Sequence, residues 1–150
     1  MMETGIDSLG TAALEEAGRL LKDRLIPCGL NHGDFAPWNT RVSGGRLLVF
    51  DWEAACWEAP LGWDEFHFDV QVWALLGRRP GNEGSLHGTQ CGEGVYLLYL
   101  VETLRQAVVE GRDRKAALRL RQDLIERFFR TRSPGAGRHP MQAPQQTCGY

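Results

Sequence analysis

Two short runs, Thr40–Val42 and Arg46–Phe50, flank Ser43-Gly44-Gly45, and this pattern constrains the fold more than any other in the chain. A tight hairpin turn needs backbone with φ > 0, which glycine reaches without steric penalty, so the stretch predicts two paired strands. Around it the periodicity is helical. Leu14, Ala17, Leu20, Leu21 and Leu25 predict a helix over Leu9–Leu25, capped by Ser8 or Thr11 and ended by Pro27 and Gly29. A second helix is predicted over 63–76, with Phe66, Val70, Trp73 and Leu76 or Gly77 on one face. A third, over 93–110, is apolar on more than one side and therefore buried. A fourth, over 113–130, aligns Ala117, Leu120, Leu124 and Phe128. Cys28–Asn39 and Trp52–Gly62 read as ordered loops, and the six glycines of 77–94 as a flexible connection. The expected class is α+β, mostly helical.

Composition narrows the setting. Seventeen Lys+Arg against 19 Asp+Glu give a net charge of −2, which argues against a dedicated nucleic-acid binder. Apolar stretches such as Tyr96–Val101 fall far short of the ~20 residues of a membrane span. No basic segment followed by an apolar core stands at the N-terminus, so the expected compartment is cytoplasmic, with no membrane partner. Cys28, Cys56, Cys91 and Cys148 include no C-x-x-C pair and are read as reduced and mostly structural. Nine basic residues against five acidic ones between Val101 and Arg132 read as a solvated basic face. Ser, Pro, Gly and Gln take over near the C-terminus, so 1–132 is the expected folded unit and 133–150 a disordered tail.

The chemistry is concentrated in Asn31-His32-Gly33-Asp34-Phe35-Ala36-Pro37-Trp38-Asn39 and, twelve residues on, Asp51-Trp52-Glu53. A hairpin turning at about Gly44 places residue 39 opposite residue 49, so Asn39 and Asp51 emerge at one open end. Asp34 lies on the loop feeding the first strand. Three oxygen-bearing side chains can therefore converge there. Such a set suits Mg2+, a hard cation that keeps several waters and takes one or two protein oxygens plus substrate phosphates. Asn39 and Asp51 are the candidate ligands, and Asp34 is left to accept a proton from an attacking hydroxyl. The competing reading makes Asp34 and Asn39 turn and cap residues and Asp51 an ordinary strand end.

The run H-G-D-x-x-x-x-N followed by D-W-E resembles the catalytic core of the aminoglycoside phosphotransferase / choline kinase family. It is similar, more distantly, to the catalytic loop and metal-binding Asp motif of protein kinases. The resemblance implies a protein-kinase-like C-terminal lobe whose short hairpin carries the metal site, over a catalytic loop 31–39 and a metal motif 51–53. It implies Asp34 as catalytic base, and Asn39 and Asp51 as ligands of Mg2+ and through it of ATP, the cosubstrate. His32 would organise the loop. Asp64, in Pro60-Leu61-Gly62-Trp63-Asp64, would anchor that loop by accepting backbone N–H bonds. Glu53 either supports the site or lines it. The N-terminal lobe of such kinases, with its glycine-rich hairpin and strand lysine, has no counterpart in the sequence; Lys22 falls on a predicted helix. The resemblance thus implies a truncated catalytic lobe, with a missing lobe or self-association covering its exposed side.

Other features are read more plainly. Six acids and no Lys or Arg lie between Asp51 and Asp69, either a solvated loop or a rim drawing a cationic acceptor such as an amine-bearing sugar. Trp38, Trp52, Trp57 and Trp63 read as packing under the loop rather than as a cation–π cage. His67 reads as a satisfied histidine on a helix. The leading function is an ATP- and Mg2+-dependent kinase of a small hydroxyl compound. A non-catalytic metabolite- or partner-binding remnant is the first alternative and a metal-dependent hydrolase the second.

Overall fold

A computed structural model describes residues 3–77, 92–109 and 115–132. In chain order it contains helix α1 (Glu3–Leu21), strands β1 (Cys28–Asn31), β2 (Thr40–Ser43), β3 (Arg46–Val49) and β4 (Cys56–Pro60), and helices α2 (Trp63–Leu76), α3 (Gly92–Val109) and α4 (Lys115–Arg132). Short 3-10 turns lie at Pro37–Asn39 and Trp52–Ala54. The fold is α+β and mostly helical. Most of the glycine-rich connection expected at 77–94, and all of the tail expected at 133–150, fall outside the described residues. No described helix is long and apolar enough to cross a membrane.

α3 is the central element. Val95, Leu97, Tyr99 and Leu100 on it are fully buried, as its all-round apolar character requires. It packs against α1 and α4 and touches α2. The α1 contact is close because both helices present small residues there. Ala13 and Ala17 are buried on α1, and a Cβ placed on Gly94 of α3 would lie 2.7 Å from the Leu21 side chain. The predicted first helix needs correction at both ends. It starts at Glu3, so Ser8 and Thr11 lie inside it rather than capping it, and it stops at Leu21. The stop is conformational: Asp23 adopts φ 59°, and Arg24 N–H closes a turn on the Leu21 carbonyl. Leu25, expected on the buried face, is therefore fully exposed, and Leu14 is half exposed.

α2 buries Phe66, Val70 and Trp73 as predicted, but Leu76 is exposed at its C-terminal end. α4 buries Leu124, Ile125 and Phe128 and, contrary to a wholly solvated basic face, Arg121. Its last residue, Arg132, pairs with Glu93 of α3 at 2.8 Å and Glu16 of α1 at 3.3 Å, tying three helices together at one end.

The hairpin forms one residue out of the predicted register. Gly44 and Gly45 both have φ > 0 and make a two-residue turn closed by Ser43 and Arg46, so Thr40, not residue 39, faces Val49. Phe50 N–H then donates to the Asn39 carbonyl at 2.9 Å, which extends the ladder to its open end. The strands themselves lie in the open: Val42 is 77% exposed, and Leu47 and Phe50 are also exposed.

Two strands were not predicted. β1 and β4, expected as loops, pair antiparallel, with an irregularity between Gly29 and Asn31. Buried Asn31 bridges that irregularity, its side-chain amide donating to the carbonyls of Gly29 and Ala59. Strands this short, rich in Gly and Pro, carry no alternation of their own; their pairing is set by distant neighbours. Cys28 and Cys56 on these strands are free, in line with the reduced state expected, and both are exposed.

Candidate functional site

The strand pair β1–β4 and the helix α2 together hold the loop that carries the chemistry. β1 delivers the chain to His32, and α2 starts three residues after β4 ends. Asp64, in the first turn of α2, accepts two backbone N–H bonds from that loop, His32 N at 2.6 Å and Gly33 N at 3.0 Å. A carboxylate accepting two amide protons is a strong, charge-assisted clamp. This is the anchoring arrangement expected for Asp64.

Gly33 lets the loop turn. Its φ is +84°, and a Cβ there would run into the Ala54 carbonyl oxygen, so both conformation and space require glycine. His32 is buried and holds the far side. Its Nδ1 accepts the Asp34 N–H at 3.3 Å, so the ring proton sits on Nε2, which donates to the Phe50 carbonyl at 2.7 Å. Trp52 packs on the same imidazole, ring centroids 4.7 Å apart. One histidine thus joins the loop to the end of the hairpin. Trp63 packs as predicted, edge-on to Tyr99, whereas Trp38 and Trp57 are exposed and Trp52, despite its contact with His32, is about half exposed.

Asp34 stands at the centre. Its Oδ2 accepts a hydrogen bond from Asn39 Nδ2 at 3.0 Å, and the same nitrogen donates to the Asp34 carbonyl at 3.0 Å. Both partners are acceptors, which fixes the orientation of the Asn39 amide and leaves its Oδ1 as the remaining oxygen. The other carboxylate oxygen, Oδ1 of Asp34, lies 3.0 Å from His67 Nε2. The Asp34 side chain is still 43% exposed, so it is held firmly yet open to a bound molecule.

His67 is the residue of the candidate site that the sequence reading passed over. It is satisfied on its helix, as read, but its partner is the candidate base. Burial pushes its pKa below the ordinary 6.5, with Arg121 acting in the same direction, while Asp34 opposes the shift. The imidazole is therefore neutral at pH 7. Its Nε2 proton points at Asp34, and its Nδ1 accepts from the Tyr99 hydroxyl at 3.2 Å. Burial raises the Tyr99 pKa strongly, so this phenol stays protonated as a donor. The Gln71 amide lies 3.2 Å from His67 Nε2, where its oxygen is the end that fits a protonated nitrogen. A sequence signal existed. Asp64, His67 and Gln71 are spaced i, i+3 and i+7, which puts them on one face of α2, looking at one loop.

The candidate metal residues are less tightly joined. Asp51 directly follows Phe50 and so shares the open end of the hairpin with Asn39, as predicted despite the shifted register. It sits in a left-handed conformation, φ 64° and ψ 63°, ahead of the 3-10 turn at Trp52–Ala54, and its side chain is exposed. Among the described residues, neither Asp51 nor Glu53 makes a hydrogen bond or ion pair, and Glu53 is exposed on that turn. No group of three or more His, Cys, Asp or Glu able to hold a metal occurs among the described residues. The donors present are one amide oxygen, Asn39 Oδ1, and one carboxylate, Asp51. That pair does not make an all-protein cage. It does fit a hard cation that keeps most of its ligands as water and phosphate oxygens.

A cavity of about 600 Å3 opens in front of Asp34, lined by Trp38, His67, Gln71, Thr103 and Arg121 among others. It lies between the loop, α2, α3 and α4. Compared with family models, curated proteins and solved structures, the chain finds no match.

Proposed function

We propose that this chain is the catalytic lobe of an ATP- and Mg2+-dependent phosphotransferase acting on a small hydroxyl compound. One observation carries the reading. The carboxylate of Asp34 is held from two sides, by Asn39 and His67, on a loop whose backbone Asp64 and His32 fix, and it faces a ligand-sized cavity. Phosphoryl transfer asks little covalent chemistry of a protein. It asks for a hydroxyl placed in line and for charge to be neutralised.

On this reading Asp34 orients the acceptor hydroxyl and takes its proton. The acceptor oxygen forms a bond to the terminal phosphorus of ATP as the bond from that phosphorus to its bridging oxygen breaks. The electron pair leaves with ADP, and Asp34 returns the proton to solvent through its exposed side. His67, neutral and protonated on Nε2, keeps the carboxylate in one orientation. Asn39 Oδ1 and Asp51 would hold Mg2+, which when bound neutralises charge on the phosphate oxygens. The ATP-covering lobe that such enzymes carry would sit over the hairpin, where Val42, Leu47 and Phe50 are exposed.

The test is transfer of label from γ-labelled ATP to a pool of small alcohols by the full chain and by Asp34→Asn. The expected wild-type rate is slow, because no glycine-rich phosphate hairpin stands over the site among the described residues. Loss of the general base should lower it by about a hundredfold or more. Equal transfer by both proteins would overturn the role of Asp34. No label above a protein-free blank would overturn transfer and leave a metabolite-binding remnant.

A further inference from the structure

Tyr99 carries a hydroxyl into the core of the fold. The residue is fully buried on α3, its ring edge-on to Trp63 at 5.3 Å and beside Phe66 at 6.0 Å between centroids. A hydroxyl so placed needs a partner, and His67 Nδ1 lies 3.2 Å away. Thr103, one turn along α3, also meets this hydroxyl, but it commits its own proton to the Tyr99 and Leu100 carbonyls at 3.0 and 3.3 Å. The phenol is therefore the donor, and the imidazole nitrogen is a far more basic acceptor than the Thr103 oxygen.

The choice matters because a neutral imidazole has two tautomers, and only one puts a proton between Nε2 and Asp34 Oδ1, 3.0 Å apart. The other would set a lone pair against the carboxylate. Gln71, 3.2 Å from the same Nε2, does not choose, since its amide can present oxygen or nitrogen. Asp34 chooses only while it is ionised; once it takes a proton from an acceptor, its hold on the imidazole weakens. The hold from Tyr99 does not change at that moment, because burial keeps the phenol protonated. Donation to Nδ1 also polarises the ring and strengthens Nε2–H as a donor.

We infer that Tyr99 is a positioning residue for the Asp34 carboxylate, acting through His67: its hydroxyl occupies Nδ1 and thereby keeps the proton on Nε2, in the bond to Oδ1. The inference rests on the phosphotransferase reading for its effect on turnover, and on the hydrogen-bond chain alone for its effect on His67.

The test begins with a long-range 1H–15N spectrum of the histidine rings in the isotope-labelled full chain at neutral pH, without nucleotide or metal. His67 should show a protonated Nε2 and an unprotonated Nδ1 whose resonance is displaced by an accepted hydrogen bond. Tyr99→Phe keeps the ring and removes only the hydroxyl. It should return Nδ1 to the position of an unbonded nitrogen and speed exchange of Nε2–H with water by about fivefold, as loss of one neutral hydrogen bond predicts. In the transfer assay Tyr99→Phe should lower kcat by about fivefold with KM little changed. In a His67→Gln background the same substitution should change kcat no further, because a residue that acts through another loses its effect with it. A proton on Nδ1 in the wild type, an Nδ1 resonance unmoved by Tyr99→Phe, or a kcat loss that adds in full to that of His67→Gln would overturn the inference. If circular dichroism shows Tyr99→Phe unfolded, the wild-type spectrum decides: an Nδ1 that is protonated or accepts no bond overturns the inference, and a bonded, unprotonated Nδ1 supports it. The spectra need no ATP, so they stand whether or not the transfer assay overturns the reaction itself.

Discussion

His67 Nε2 and Asp34 Oδ1 lie 3.0 Å apart, joining the α2 helix to the loop that carries the candidate base. The contact closes a relay of neutral donors: the Tyr99 hydroxyl donates to His67 Nδ1, and His67 Nε2–H donates to Asp34. On the proposed function it makes the part-buried His67 a positioning residue.

A pH dependence follows. Burial lowers the pKa of His67 in the folded chain below the 6.5 of an unfolded histidine. Between those two values the unfolded chain binds more protons, so stability rises with pH in that window. The contribution is fully present above 6.5 and is lost as pH falls through the window below it. Urea denaturation at pH 7.5 and 5.5 should show the wild type weakening at the lower pH, and His67→Gln weakening less. An identical acid response in both proteins would mean another group is responsible.

Asp64 should matter more to the loop than to the helix that bears it. Asp64→Ala leaves the N–H groups of His32 and Gly33 without their acceptor, at a cost of about 2–4 kcal/mol. Amide hydrogen exchange should accelerate at these two residues well ahead of α2. Uniform acceleration across α2 would instead indicate general loss of the fold.

Gly33 admits no side chain. Gly33→Ala combines a left-handed alanine, about 1–2 kcal/mol, with a collision against the Ala54 carbonyl. A total loss of at least about 2 kcal/mol in chemical denaturation is expected. A loss smaller than the conformational term alone would mean the loop relaxes freely.

The helical core offers a paired contrast. Gly94→Val should cost about 1–3 kcal/mol, since its side chain meets Leu21 and Leu20 where α1 and α3 approach. Gly18→Ala on α1 meets nothing within 4 Å and should stabilise by about 0.5–1 kcal/mol. Thermal unfolding of both variants reads the two signs directly.

The helices were legible because their signal is local. Phe66, Val70 and Trp73 recur at helical spacing and are buried as that spacing demands. The Asp34–Asn39 contact was legible too, since five residues and a short turn separate the pair. What lay hidden depended on neighbours far along the chain. β1 and β4 are recognisable only as a pair, and Asn31 bridges them across 28 residues. His67 reaches Asp34 across 33 residues, and its role shows only once Asp64 has docked α2 on the loop. Arg121 resembled any solvated arginine until α4 turned it inward.

The pairing of Asn39 with Asp51 as a metal site is the central claim, and paramagnetic broadening tests it most directly. Mn2+, standing in for Mg2+, is titrated into the isotope-labelled full chain with ATP present, for wild type and Asp51→Ala. The expected result is saturable broadening of the Asn39 side-chain amide and the Asp51 backbone amide in the wild type, and its loss in the variant. Broadening that spares both residues, or that persists unchanged in Asp51→Ala, would contradict the account.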